Sequence, residues 1–221
     1  MREALLIALK DLRLEGRSKD ILTTTAFFSA LVVLIMGFAL GPDTGKLKES
    51  APGVLWAAIA FASVLAAQRA FGSEQESGAL ESLLMYPTTH EWVFVGKLLA
   101  NYVLMLLLAG ITVLTTSIIY NLSYTSIGLL VLTLILGVLG FSIISVFYAA
   151  ITVNLRAKEA LLPVLMFPIT IPVVIGAVAA TKILTQNGNL EDLSSWLQLL
   201  AAFDVVSLIV AAVAFPHALE N

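Results

Sequence analysis

The sequence contains no cysteine, which excludes disulfide bonds, thiol catalysis, iron–sulfur clusters and cysteine-based zinc sites together. Charged side chains are also scarce, at 12% of the 221 residues, about half the share of a typical soluble domain. The formal net charge is −3, and no basic patch of the kind that binds nucleic acid is present. Apolar side chains make up 59% of the residues. This composition predicts a polytopic membrane protein with most of its length in the bilayer.

Recognisable catalytic and nucleotide-binding motifs are absent as well. The segment Gly41–Lys46 resembles a phosphate-binding loop, but it is one residue short and no Ser or Thr follows the lysine. Neither the HExxH nor the GxSxG signature occurs. We therefore predict that the chain is not an enzyme and that it binds no cofactor or metal ion of its own.

Six apolar segments, each long enough to cross a bilayer core of about 30 Å, follow the first 20 residues. They run over residues 21–40, 53–71, 92–120, 126–153, 160–182 and 195–215. The first 20 residues combine leucines with basic side chains in the pattern of a helix lying flat at the membrane interface. The sequence thus predicts an all-α membrane protein in two parts: an N-terminal amphipathic interfacial helix (1–20) and a six-span transmembrane domain (21–221).

Lysine and arginine are distributed unevenly between the two sides of the predicted membrane domain. Nine of the twelve fall on the side of the N-terminus and three on the other side. Because loops rich in Lys and Arg stay in the cytoplasm, we predict that both termini are cytoplasmic. Trp56, Trp92 and Trp196 each lie near a predicted span end, which is typical of the aromatic belt at a membrane interface.

The longest hydrophilic break separates the second and third spans and covers residues 72–92. Within it, Leu80, Leu83 and Leu84 have the spacing of one helix face, and Pro87 cannot continue that helix. The residues alone leave two interpretations open. One is a short helix on the membrane surface that passes force to both neighbouring spans, and the other is a solvated loop with a single helical turn.

The fifth and sixth spans contain residues that are unusual inside a membrane. Three prolines in the fifth span predict a kinked or broken helix. Asp204 lies well inside the sixth span, where an ionisable side chain is a candidate functional site. The candidate translocation path therefore consists of Pro168, Thr170, Pro172 and Asp204. The alternative for the prolines is a static kink required for packing.

Three motifs follow one another along the chain: Ala51–Gly53 with Trp56, Gly78–Leu83 with Pro87 and Lys97, and Pro168–Pro172. Together they resemble the permease subunit of the cytochrome c maturation ABC transporter, a family often called haem exporter protein B. The resemblance covers nearly the whole chain and implies a fold like that of ABC-2 exporters. One departure is Ser73, where acidic residues are common in the family; Glu74 and Glu76 supply that charge.

The resemblance implies that residues 73–87 form a coupling helix on which a cytoplasmic ATP-binding subunit docks. The docking residues are then Glu74, Glu76, Gly78, Leu80, Glu81, Leu83 and Pro87, with Arg13 and Arg17 on a second docking surface. The family also implies two further partners, a haem-handling membrane protein and a haem chaperone, and a location in the bacterial inner membrane. The implied role is haem export or the release of a haem-loaded chaperone.

One six-span chain is small for a translocation pathway, so we expect a two-fold homodimer embedded in membrane lipid. Two other functions fit the residues. The first is an ABC-2 type exporter permease for a lipid, a glycan or a drug. The second, from another class, is an ion-coupled secondary transporter that uses Asp204. Paired inverted repeats with matching broken helices would favour the second function, but only the fifth span is rich in proline.

Overall fold

The computed structural model describes residues 2–69, 71, 90–153, 155 and 158–219. These ranges contain seven α-helices and no strand: α1 (Arg2–Ser18), α2 (Asp20–Leu40), α3 (Thr44–Arg69), α4 (His90–Tyr120), α5 (Ile127–Thr152), α6 (Lys158–Thr185) and α7 (Leu190–Leu219). Helices α2 to α7 are each long and apolar enough to cross a membrane. The prediction of an all-α membrane protein with six spans is therefore confirmed.

The second span begins earlier than its hydropathy predicts. Helix α3 starts at Thr44, nine residues before the predicted start of the span, and Pro52 lies inside the helix. The carboxyl group of Asp43 accepts hydrogen bonds from the backbone N–H groups of Gly45 (2.9 Å) and Lys46 (3.3 Å). This side chain occupies the free donors at the helix N-terminus, so the polar first turns of α3 are helical as well.

The fifth span is a continuous α-helix, α6, although it contains Pro163, Pro168 and Pro172. The prediction was a kinked or broken helix, and of these two the break is wrong. Helix α6 packs against α3, α5 and α7, and packing of this kind holds a membrane helix together where prolines remove backbone hydrogen bonds. The Thr170 hydroxyl adds a hydrogen bond to the Phe167 carbonyl at 3.1 Å.

Helix α3 lies at the centre of the bundle, where it contacts α2, α4, α5 and α6. Of its most apolar 18-residue window 72% is buried, against 17% for α2 and 22% for α7. Alanines supply much of the buried surface of α3. Small side chains let membrane helices approach closely, and close packing is a main source of their association.

Trp56 joins three spans at this centre. Its indole N–H donates a hydrogen bond to the hydroxyl of Thr181 on α6 at 2.8 Å, and its ring stacks on Phe141 of α5 with centroids 6.3 Å apart. The side chain is fully buried, so its assignment to an interfacial belt is wrong. Trp56 is 12 residues from the first residue of α3, Thr44, which is a distance of about 18 Å along the helix axis.

The space for this indole depends on Gly137 of α5. A Cβ atom added at Gly137 would overlap Cη2 of Trp56. We predict that Gly137→Ala destabilises the bundle by about 1–3 kcal/mol, the usual cost of overpacking a core. The matched control is Gly110→Ala, because Gly110 is also inside a span and nothing lies within 4 Å of its added Cβ. Thermal unfolding of both variants in lipid nanodiscs tests this, and equal melting temperatures would contradict it.

Candidate coupling site and membrane path

Helix α1 packs on the first turns of α4 through its smallest side chains. Ala4 and Ala8 are buried in this contact. On α4, a Cβ atom added at Gly96 would come within 2.8 Å of both the Ala4 carbonyl oxygen and the Ile7 Cβ. The backbone of α4 at Gly96 therefore lies directly against the Ala4 carbonyl and the Ile7 side chain of α1. This close contact fixes α1 to α4.

An ion pair secures the same contact. The Lys97 Nζ of α4 lies 3.0 Å from Oδ2 of Asp11 on α1, and the Lys97 side chain is only 3% exposed. The Nζ also lies over the ring of Phe71, 5.0 Å from the centroid, at a distance typical of a cation–π interaction. Lys97 thus joins α1, α4 and the residue that closely follows α3. We call these three residues, Lys97, Asp11 and Phe71, the Lys97 junction.

The sequence marked Lys97 only as part of a motif and as one of nine charges on one side. The structure makes it the meeting point of three segments. The available signal was its position seven residues inside the apolar helix α4, where an ammonium group needs a compensating partner.

A buried carboxyl group connects α1 to α2. The Oε1 atom of Glu15 accepts a hydrogen bond from the backbone N–H of Leu22, in the first turn of α2, at 2.7 Å. Between the two helices Lys19 adopts a left-handed conformation with φ of 58°. A carboxylate is favourable at a helix N-terminus, where free N–H groups and the helix dipole attract negative charge. Glu15 therefore sets the bend between the interfacial helix and the first span.

The predicted docking residues fall into two groups. Glu74, Glu76, Gly78, Leu80, Glu81, Leu83 and Pro87, and with them the predicted coupling helix, lie outside the described residues. Arg13 and Arg17 are exposed on α1, four residues apart and thus on one helix face. Residues 72–89 begin directly after Phe71, which belongs to the Lys97 junction, and end at the start of α4, seven residues before Lys97.

The structure divides the candidate translocation path between two surfaces. Asp204 and Thr170 are buried inside the bundle. Pro168 and Pro172 are exposed on the outer face of α6. The four residues therefore do not share one surface in this arrangement of the helices. Of the four, the Asp204 carboxyl is the buried group whose oxygens have no hydrogen-bond partner among the described residues.

Comparison with known proteins agrees with this architecture. A family model described as "CcmB protein" matches residues 2–221. The "Heme exporter protein B" of Paracoccus denitrificans is 30% identical over 218 residues, which cover 99% of this chain and 98% of the relative. That of Bradyrhizobium diazoefficiens is 29% identical over 219 residues, with 96% of each chain covered. That of Escherichia coli K12 is 28% identical over 179 residues, with 77% of each covered. Because the family model spans essentially the whole chain, this protein belongs to the CcmB protein family.

Proposed function

We propose that this chain is the membrane permease subunit of an ABC transporter that serves cytochrome c maturation. The support is its membership of the CcmB family and the name of its relatives, "Heme exporter protein B". The chain has no complete nucleotide-binding motif, so the energy of ATP has to enter through contact with a separate ATP-binding subunit. The excess of Lys and Arg on the N-terminal side supports docking of that subunit in the cytoplasm.

The Lys97 junction is the observation that carries this proposal. A subunit that binds residues 72–89 acts on a segment that starts just after Phe71 and ends at α4. Lys97 contacts Phe71 and Asp11 at once, so a displacement of this segment reaches α1 and α4 together. Through the Glu15 hydrogen bond it also reaches α2. Closure of the ATP-binding partner can then bias the packing of several spans in a single step.

We assign haem binding to the partners of this chain. A histidine nitrogen or a cysteine thiolate is a common axial ligand of haem iron. The chain has no cysteine, and its two histidines, His90 and His217, belong to the side predicted to be cytoplasmic. The proposed output is therefore haem export together with a haem-handling membrane protein, or the release of a haem-loaded chaperone on the outer side. Co-purification with a haem-handling membrane protein separates this function from lipid, glycan or drug export.

Reversing the charge of Glu81 tests the docking segment. We expect Glu81→Lys to lower the stimulation of the partner's ATPase activity by at least about tenfold. A docking carboxylate faces positive charge on its partner, and a lysine in its place would create a like-charge contact that costs several kcal/mol. Thermal stability should stay unchanged. The matched control is Glu49→Lys, an exposed charge reversal on the opposite side of the predicted membrane domain. Full ATPase stimulation and full cytochrome c assembly with Glu81→Lys would refute the coupling assignment.

Removing the charge of Asp11 tests the Lys97 junction. We expect Asp11→Asn to weaken the docking of α1 by about 2–3 kcal/mol, less than the roughly 3–5 kcal/mol for a fully buried ion pair, because the Asp11 side chain is 16% exposed. Hydrogen exchange of the α1 amides should then quicken roughly 30-fold or more, since exchange follows the free energy of local opening.

The control for this variant is Lys10→Gln. Lys10 also pairs with Asp11, at 3.1 Å, but its side chain is 44% exposed, and surface ion pairs contribute little. If both variants exchanged at the wild-type rate, the ion pair would not be what holds α1 on α4.

The double variant Arg13→Glu with Arg17→Glu tests the second docking surface. We expect weaker binding of the ATP-binding subunit, with the difference from wild type shrinking as salt rises, because exposed charges are screened beyond a Debye length of about 8–10 Å. Binding to the purified chain in nanodiscs provides the measurement. Lys182→Glu, at an exposed position near the end of α6, serves as the control. Wild-type affinity of the double variant at low salt would exclude this surface from docking.

A further inference from the structure

A carboxyl group lies at the middle of the membrane domain without a polar partner. Asp204 stands near the centre of α7 (Leu190–Leu219), and its side chain is only 4% exposed. Neither carboxyl oxygen has a hydrogen-bond partner within the described part of the chain. A buried polar group without a partner is rare in proteins and calls for a physical explanation.

The site that holds this carboxyl is built from three other spans. A Cβ atom added at Gly140 of α5 would lie 2.8 Å from Oδ1 of Asp204 and 2.9 Å from Cγ2 of Val173 on α6. The carboxyl therefore occupies space that exists because residue 140 has no side chain. From α4, the titratable side chain within electrostatic reach is Tyr102, but its hydroxyl donates to the Ile135 carbonyl at 3.0 Å. The neighbours from α5 and α6, Gly140 and Val173, carry no charge.

These surroundings decide what can neutralise the carboxyl. An ionised carboxylate without a partner is costly at the centre of a membrane. A metal ion would require several oxygen or nitrogen ligands, and the described residues contain no group of three His, Cys, Asp or Glu side chains that could hold one. A proton requires no ligand besides the carboxyl oxygen itself, so it neutralises the carboxyl without any further side chain from these spans.

We propose that Asp204 is an intramembrane proton-binding site. Its carboxyl group carries a proton while α5, α6 and α7 are packed as in this structure. When these helices separate enough to admit water, the O–H bond breaks, the proton passes to water and a hydrated carboxylate remains. The site thus makes proton release a consequence of opening the bundle. It depends neither on the identity of the transported molecule nor on the ATP-binding partner.

Infrared spectroscopy of the full chain in lipid nanodiscs tests the first step. We expect the wild type at neutral pH to show the carbonyl stretch of a protonated carboxylic acid, which Asp204→Asn lacks and Asp192→Asn retains. Asp192 is an exposed acid in the first turn of the same helix, so it is the matched control. Absence of the band from the wild type, or its persistence in Asp204→Asn, would overturn the proposal.

The amide of Asp204→Asn is uncharged and close in shape to a protonated carboxyl, so this variant should fold. If it does not, isotope labelling of aspartate in the wild type assigns the band to one of five residues. The other four lie at helix ends or on α1: Asp11, Asp20, Asp43 and Asp192. A band that does not shift with labelled aspartate would equally overturn the proposal.

Gly140→Ala tests the release step. The added methyl group would meet the Asp204 carboxyl and Val173 at less than 3 Å, so α5 has to move away from α6 and α7. We expect the carboxyl proton to exchange for deuterium at least about tenfold faster than in the wild type, because exchange follows the population of open states. Gly110→Ala, with open space around its added Cβ, should exchange at the wild-type rate. Unchanged exchange in Gly140→Ala would show that opening at this site does not admit water.

Discussion

The contact between α1 and the membrane domain is centred on the buried ammonium group of Lys97. Taking this charge out of water is costly, and only close partners compensate the cost. Asp11 provides one at 3.0 Å, and the ring of Phe71 lies beneath the same nitrogen at 5.0 Å. Because separating any of these groups leaves a charge poorly compensated, α1, α4 and the end of the second span tend to stay together or move together. A contact of this kind therefore transmits a displacement of one segment to the other two.

Elsewhere the spans are held by close packing and by hydrogen bonds between helices. Lipid tails are as apolar as leucine side chains, so burial from water does not drive helix association inside the membrane. Hydrogen bonds provide direct links instead, among them Trp56 to Thr181 between α3 and α6, Thr112 to Ser29 between α4 and α2, and Tyr102 to the Ile135 carbonyl between α4 and α5. Two glycines allow close packing because they have no side chain: Gly137 leaves room for the Trp56 indole, and Gly96 leaves room for α1.

Hydropathy predicted the six spans because each span is a long apolar run, and the predicted end of the first span at residue 40 matches the end of α2 at Leu40. The errors arose where a contact distant in sequence decides the structure. Trp56 seemed interfacial from its position in the apolar run, but its partner Thr181 is 125 residues away. The prolines of α6 predicted a kinked or broken helix, but α6 is continuous and packs against three neighbouring helices. The roles of Glu74 to Pro87 stay predictions, since this segment lies outside the described residues.

The Lys97 junction and the Asp204 site share one helix. Tyr102 follows Lys97 on α4 by five residues, about 7.5 Å along the axis. Tyr102 is within electrostatic reach of Asp204 and is hydrogen-bonded to α5. A helix is stiff over this distance, so a shift of α4 at the junction moves Tyr102 relative to α7 by a similar amount. At Gly140 there is no space for a side chain beside the carboxyl, and close-packed helices switch between arrangements rather than deform gradually. Force applied at the surface therefore has a short mechanical route to the one buried acid in the middle of the described bundle.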